Sequence, residues 1–263
     1  MSAPGAARRA AILDVLTRDG FVDVSTLQES FGCSEATVRR DLEQLQRTGH
    51  LRRTHGGAIL DGYHERPFTA KLGEMAEAKQ AIAQSATALI EDGQAIGFTG
   101  GTTTQQVARS LVPRAGLTAV TNAINIAMEL TGRDMRVIVT GGELRSETYE
   151  LVGPLAEPAA LQIHLDLIFV GVDGLSPEGG LTTHNPIEAR IDRVLIDRAS
   201  SVIVVADHTK LGRKTFAQIA ALEAAHVLIT DAGADPEMIR EIERAGLRVI
   251  TAEGPNKQER EHG

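Results

Sequence analysis

The chain has 263 residues, 42% of them hydrophobic and 24% charged, with a formal net charge of −8. That length suits one large domain or a small one joined to a medium one, and no apolar run approaches the ~18 residues of a membrane span. The single cysteine, Cys33, excludes an intrachain disulfide and fits a reducing cytoplasm.

Eight scattered histidines without HExxH or CxxC spacing read as surface or capping residues, so neither a metal nor a cofactor is expected. The first twenty residues lack the apolar core of a secretion signal. Charge is unevenly placed. Residues 1–60 hold eight arginines and seven acids, whereas the rest hold 19 basic and 28 acidic groups. Five of the early arginines fall between Arg39 and Arg53, opposed there only by Asp41 and Glu43. Such a patch on an acidic protein points to nucleic acid met by one end only.

In chain order, residues 7–18 place Ile12, Leu13 and Leu16 on one face of a helix ended by Asp19-Gly20. Val22-Asp23-Val24 reads as an extended link, and Ser25 as the cap of a second helix running to Phe31, with Leu27 and Phe31 inward. Gly32 supplies a tight turn. Ser34 should cap a third helix by accepting from the Thr37 amide, with Glu35 at the positive helix end. Val38, Leu42 and Leu45 form its buried stripe. At about 100° per residue, Ala36, Arg40 and Gln44 project from the opposite face, flanked by Thr37, Arg39 and Glu43.

After Thr48-Gly49, the run LRRTHGGAIL alternates as a strand, turns at Gly56-Gly57 and resumes at Ala58-Ile59-Leu60. Three helices and a hairpin make a winged helix-turn-helix, a small α+β domain over residues 6–60. Its third helix suits the major groove of DNA. Candidate DNA contacts are Ser34, Ala36, Thr37, Arg40 and Gln44 along the helix, Arg39, Arg52 and Arg53 toward the backbone, and His55 at the wing. The competing reading is a helical hairpin whose arginines only solvate a surface.

Residues 61–76 read as a linker. Beyond it, apolar β-rich runs appear at QAIGFTG, LTAVTN, MRVIVTGG, LDLIFVGVDG, SVIVVADHT, AHVLITD and LRVITA, with helix-like segments between most of them. This alternation predicts an α/β domain over 77–252, a mainly parallel sheet covered by helices on both faces. The polar end, 253–263, reads as a flexible tail.

Ligands of such sheets bind at the C-terminal ends of strands. There the sequence sets Gly101, Thr102 and Thr103 at a helix start able to hold an anion. It also sets Asn122, Gly141, Asp173, Asp207 and Lys210 at four further strand ends. Lys210 offers a point charge to a phosphate, and Asp173 or Asp207 can accept from sugar hydroxyls.

Two stretches make the pattern specific. VSTLQESFGCSEATVRRDLEQLQRTGHLRRTHGGAI resembles the N-terminal domain of the DeoR family of bacterial transcriptional regulators: Ser34, Thr37 to Leu42, Gly49, an arginine at 52 or 53, and His55 to Ala58 match its pattern. GTTTQQVA, TNAINIA, GGELR, FVGVDGLSPEGGLT, IEARIDRVLIDRA and VADHTKLGR resemble, in order, that family's sensor domain. That domain is itself similar to ribose-5-phosphate isomerase.

The resemblance spans residues 6–252. It implies a repressor of a carbohydrate-use operon that binds double-stranded operator DNA as a dimer or tetramer and answers to a phosphorylated sugar, with Glu188 among the effector residues. Many members carry an acid and a serine before Gly-Thr-Thr where this chain has Thr99 and Gly100. The phosphate cradle survives that change, and a hydroxyl contact from the missing acid does not. Tyr149 stands where a small residue is frequent.

The alternative is a sugar-phosphate isomerase with an added domain, for which Asp173, Glu188 and Lys210 are the available base and stabilising groups. The isomerase pattern wants a second acid soon after Asp173 and a glycine run after the lysine. Gly174-Leu175-Ser176 and Leu211-Gly212-Arg213 stand there instead, and no enzyme activity is expected.

Overall fold

The computed structural model describes residues 5–19, 21–48, 51–53, 56–60, 67–112 and 114–253. They fall into two units, Met1–Glu65 and Arg66–Gly263. Residues 54–55, His55 among them, residues 61–66 of the expected linker and the tail from 254 lie outside the described residues, and Gly57, expected in the turn, already belongs to the strand that follows.

The first unit runs α1 (Gly5–Asp19), β1 (Phe21–Asp23), α2 (Val24–Phe31), α3 (Glu35–Arg47), β2 (Leu51–Arg53) and β3 (Gly57–Leu60). The expected link at Val22 is a strand, because it pairs antiparallel with β3, Val22 opposite Ala58. β3 also pairs with β2, Arg52 opposite Ile59. The cap of α2 is Asp23 rather than Ser25. Ending β1 in extended conformation, Asp23 accepts from the amides of Ser25 and Thr26, so the helix begins one residue before Ser25. Gly32 turns the chain with φ of 57°, a conformation that costs glycine little. Ser34 caps α3 as expected, accepting from the Thr37 amide at 3.4 Å.

Val38, Leu42 and Leu45 are buried with Ile12, Leu16, Leu27, Leu51 and Ala58 in one cluster. Asp41 does not oppose the surface arginines. It is buried on α3 and binds Arg8 at 2.5 Å and Arg9 at 3.2 Å, tying α3 to α1.

The second unit begins with α4 (Phe68–Lys71), α5 (Ala76–Thr87), β4 (Ala95–Phe98), α6 (Thr102–Arg109), β5 (Thr118–Thr121), α7 (Ile124–Leu130) and β6 (Arg136–Val139). There follow β7 (Glu143–Arg145), β8 (Glu150–Val152), α8 (Glu157–Leu161), β9 (Leu165–Val170), β10 (Gly174–Ser176), β11 (Gly180–Thr183) and α9 (Pro186–Asp197). It ends with β12 (Ala199–Val205), β13 (Ala217–Ala220), β14 (Val227–Asp231), α10 (Pro236–Arg244) and β15 (Arg248–Ala252).

The seven expected apolar runs form one sheet in the order β15-β14-β12-β9-β4-β5-β6, with every pairing parallel. Its strands are apolar on both faces, since successive side chains point to opposite sides. In β12, Val202 and Val204 pack with Ile191, Leu195 and Ile242, while Ile203 and Val205 pack with Ile82, Val107 and Ile126. Helices therefore cover both faces. At the centre, Phe98 of β4 stands opposite Phe169 of β9, their rings 5.5 Å apart. Such a pair contributes about 0.5–1.5 kcal/mol beyond its buried area.

Two small antiparallel sheets, β10-β11-β13 and β7-β8, branch from this frame. The span read as a linker contains α4, whose Phe68 is buried. One helical turn is too short to show a period, which is why the sequence pattern passes over it.

Asp41→Asn removes the charge that holds two arginines. With charge-assisted bonds contributing about 1.5–3 kcal/mol each, the first unit should unfold earlier in urea while the second unit's transition stays in place. An unchanged first transition would show that the Arg8–Asp41 pair contributes nothing to α1–α3 docking.

Candidate functional site

On α3, Ala36, Arg40 and Gln44 are exposed together, as their spacing requires. Arg40 makes no ion pair among the described residues. Arg39 is held by Glu35 at 2.6 Å across one turn, and Arg53 by Glu43 at 2.7 Å. Two of the candidate phosphate contacts are thus already steered by acids on the same surface, while Arg40 points out unpaired. Such exposed pairs are weak, about 0.2–1 kcal/mol, and give way readily to a phosphate.

In the second unit the strand order reverses between β4 and β9. From β4 the chain winds outward through β5 and β6, then returns beside β4 and winds the other way. The loops leaving β4 and β9 diverge there, and a crevice opens outside the strand ends. It is a cleft of about 760 Å³, part of it open to solvent, lined by Gly100 to Thr103 after β4 and Gly171 to Asp173 after β9. Glu188 of α9 and Asp207 and Lys210 beyond β12 also line it. Gly101 caps α6 with φ of 124° and no side-chain bond, so the first amides of α6 keep their donors.

Two expected residues are not there. Gly141 follows β6 at the edge of the sheet, two strands from the reversal, and does not line the cleft. Asn122 is fully buried and reaches the cleft only through Glu150, to whose Oε2 it donates at 3.3 Å.

Several lining residues were not singled out by the sequence pattern: Phe68, Lys71, Lys79, Thr148, Glu150 and Asp192. Lys71 matters most. Its Nζ lies 3.5 Å from Asp173 Oδ1, and that of Lys210 lies 3.7 Å from the same oxygen. Lys79 donates to the carbonyls of Lys71 at 2.8 Å and Glu74 at 2.7 Å, holding the turn after α4 in place. Phe68 packs on Tyr149, ring centroids 5.3 Å apart, and its amide binds the Glu147 carbonyl at 2.8 Å. Tyr149, the unusual residue of its stretch, has φ of 63°.

The acids divide by environment. Burial pushes the Asp173 carboxyl up, but the charges of Lys71, His184 and Lys210 outweigh it and leave its pKa below the ordinary value. Asp192 goes the other way. Burial, with Glu188 and Asp173 nearby, raises it well above the usual carboxylate range, and its Oδ1 finds no partner among the described residues. Glu188 is ordered by Arg145 at 2.8 Å and the Thr148 hydroxyl at 2.5 Å. Asp207 is committed to the turn His208–Lys210, accepting from the amide and hydroxyl of Thr209. His184 is half-buried, and burial lowers its pKa, so it is not the surface histidine that the sequence suggested.

A winged helix with an arginine on its open helix face, joined to an α/β unit with an anion-ready cleft, is the build of a ligand-responsive DNA-binding regulator. The DeoR-like helix-turn-helix domain matches residues 8–62, and the DeoR C terminal sensor domain matches residues 74–232. The chain belongs to the DeoR family of transcriptional regulators. It is 39% identical over 247 residues to the HTH-type transcriptional regulator GlpR of Haloferax volcanii, covering 93% of this chain and 97% of that one. To the glycerol-3-phosphate regulon repressor of Escherichia coli K12 it is 31% identical, over 86% of this chain and 90% of that one. Of solved structures, ribose 5-phosphate isomerase A from Methanocaldococcus jannaschii aligns with half of this chain at 17% identity and a TM-score of 0.38, a likeness too slight to bear on activity.

Because its native pKa is raised, Asp192 contributes stability that is complete below the ordinary value of 3.8 and is lost as pH rises through the native value. Asp192→Asn removes that loss. In urea titrations from about pH 5 to about pH 8, the stability of the variant relative to the parent should rise with pH. A difference that stays constant over that range contradicts a protonated Asp192.

Proposed function

We propose that this regulator represses a carbohydrate-use operon in the cytoplasm and releases or holds its operator according to a phosphorylated sugar bound in the cleft. Residues 6–60 carry DNA binding. Residues 77–252, with Phe68 and Lys71 ahead of them, carry sensing and self-association into a dimer or tetramer. The observation that carries the reading is the pair of ammonium groups, Lys71 and Lys210, in the same cleft as the uncapped start of α6. A dianionic phosphate meets two full charges and a helix dipole there, while the carboxylates of the cleft suit hydroxyls. The names of relatives, among them a glycerol-3-phosphate regulon repressor and a putative aga operon transcriptional repressor, agree with it.

No enzyme is proposed. Asp173, one of the groups available to an isomerase as base, is held by two lysines and has a lowered pKa. That makes it a poor proton acceptor.

Arg40→Ala should cost roughly 1–3 kcal/mol of operator binding and blur preference among operator variants. Arg39→Ala should weaken all sequences alike and shallow the salt dependence. Fluorescence anisotropy with operator and scrambled duplexes separates the two, and parental binding by both variants would remove α3 from the groove.

For the cleft, Lys210→Ala and Lys71→Ala should each weaken a sugar phosphate roughly ten- to a hundredfold. Operator affinity without effector should stay near the parent's, since a ligand acts only through its differential affinity for two states. Calorimetric titration with sugar phosphates and their free sugars checks this. Free sugars that bind as tightly as their phosphates would refute the phosphate reading.

A further inference from the structure

Gly100 opens the glycine-threonine loop, and the space where its side chain would stand is taken. A Cβ at position 100 would fall 1.9 Å from Glu150 Oε1 and 2.2 Å from its Cδ. Glu150 comes from β8, far along the chain, and its carboxylate lies over the loop that begins α6. The group is placed rather than incidental. Glu150 is 6% exposed, Asn122 donates to its Oε2, and its backbone bridges to Ala123. Leu151 donates to the Asn122 carbonyl at 2.6 Å, fixing the strand that carries it. Both Gly100 and Glu150 line the cleft.

A buried carboxylate beside an anion cradle gains little from a bare phosphate, which has few protons to donate to it. It becomes useful when hydroxyl groups of the same ligand donate to it, since bonds to a charged acceptor are the stronger kind. The arrangement is therefore selective. It favours a phosphate ester whose carbon chain carries hydroxyls toward Gly100 over inorganic phosphate, which has none.

We propose that Glu150 is the specificity-determining acid of the cleft, accepting hydroxyl hydrogen bonds from a phosphorylated polyol or sugar. On this proposal Gly100 is glycine so that Glu150 can occupy its side-chain space, and Asn122 positions the carboxylate. The proposal rests on the sugar-phosphate reading given above and adds which residue reads the hydroxyls.

The test is calorimetric titration of the full chain and its Glu150→Gln variant with ribose 5-phosphate, fructose 1-phosphate, glucose 6-phosphate, glycerol 3-phosphate and inorganic phosphate. Circular dichroism melting confirms that the variant folds. The tightest ester should weaken at least tenfold in Glu150→Gln, as expected on losing one charge-assisted bond, while inorganic phosphate binds equally or more tightly. A second variant, Gly100→Asp with Glu150→Ser, moves an acid to the other side of the same space and should re-rank the esters without loss of phosphate binding. Unchanged ester affinities in Glu150→Gln, or an equal loss for esters and inorganic phosphate, would overturn the proposal. A parent that binds no phosphorylated probe would overturn the sugar-phosphate reading along with it, and that failure is visible before any variant is made.

Discussion

The reversal of winding direction between β4 and β9 is the constraint on which the sensing unit depends. Parallel strands need right-handed crossovers, so a sheet that grows both ways from its middle must part its loops at one place. Everything polar in the cleft follows from that parting. The glycine-threonine loop leaves one central strand and the Gly171-Val172-Asp173 loop leaves its neighbour. The Phe98–Phe169 pair beneath them keeps the two strands, and hence the two loops, in register.

Around this crevice the charges are arranged so that few stand alone. Lys71 and Lys210 share Asp173, Arg145 and Thr148 share Glu188, and Thr209 occupies an oxygen of Asp207. Asp192 is the exception. Burial, with the charges of Glu188 and Asp173 nearby, raises its pKa well above the usual carboxylate range, as expected where a charged form is costly to bury. The same economy appears in the small unit, where one buried aspartate on α3 answers two arginines of α1. α3 is thus anchored by polar bonds from its own inner face, and its outer face, with Ala36, Arg40 and Gln44, stays exposed.

Much of this was legible in the residues. The seven β-rich runs are the seven parallel strands, because burial on both faces of the inner strands leaves an apolar signature there, and the half-buried edge strands β6 and β15 share its β-branched composition. The stripe Val38-Leu42-Leu45 fixed the outward face of α3 by periodicity alone. What the sequence concealed has a common cause, namely elements too short or too irregular to have a period. Lys71 sits on a single helical turn inside an apparent linker, and Glu150 sits on a three-residue strand of a side hairpin. Asn122 and Gly141 were judged by their place at strand ends, without knowledge of strand order. Only that order says that β6 is an edge and that the ends of β4 and β9 face each other.

The interlock of Gly100 with Glu150 also bears on how this cleft can change over generations. A side chain at position 100 would meet the Glu150 carboxylate where it now stands, so the glutamate would have to swing out of its place and the two sites are not free to vary independently. A lineage that shifts the acid to position 100 must either displace the carboxylate of residue 150 or shorten that residue. Substitutions in contact are non-additive for reasons of this kind. Here the coupling comes from a single occupied volume, which favours a smaller residue at 150 in relatives with bulk at position 100.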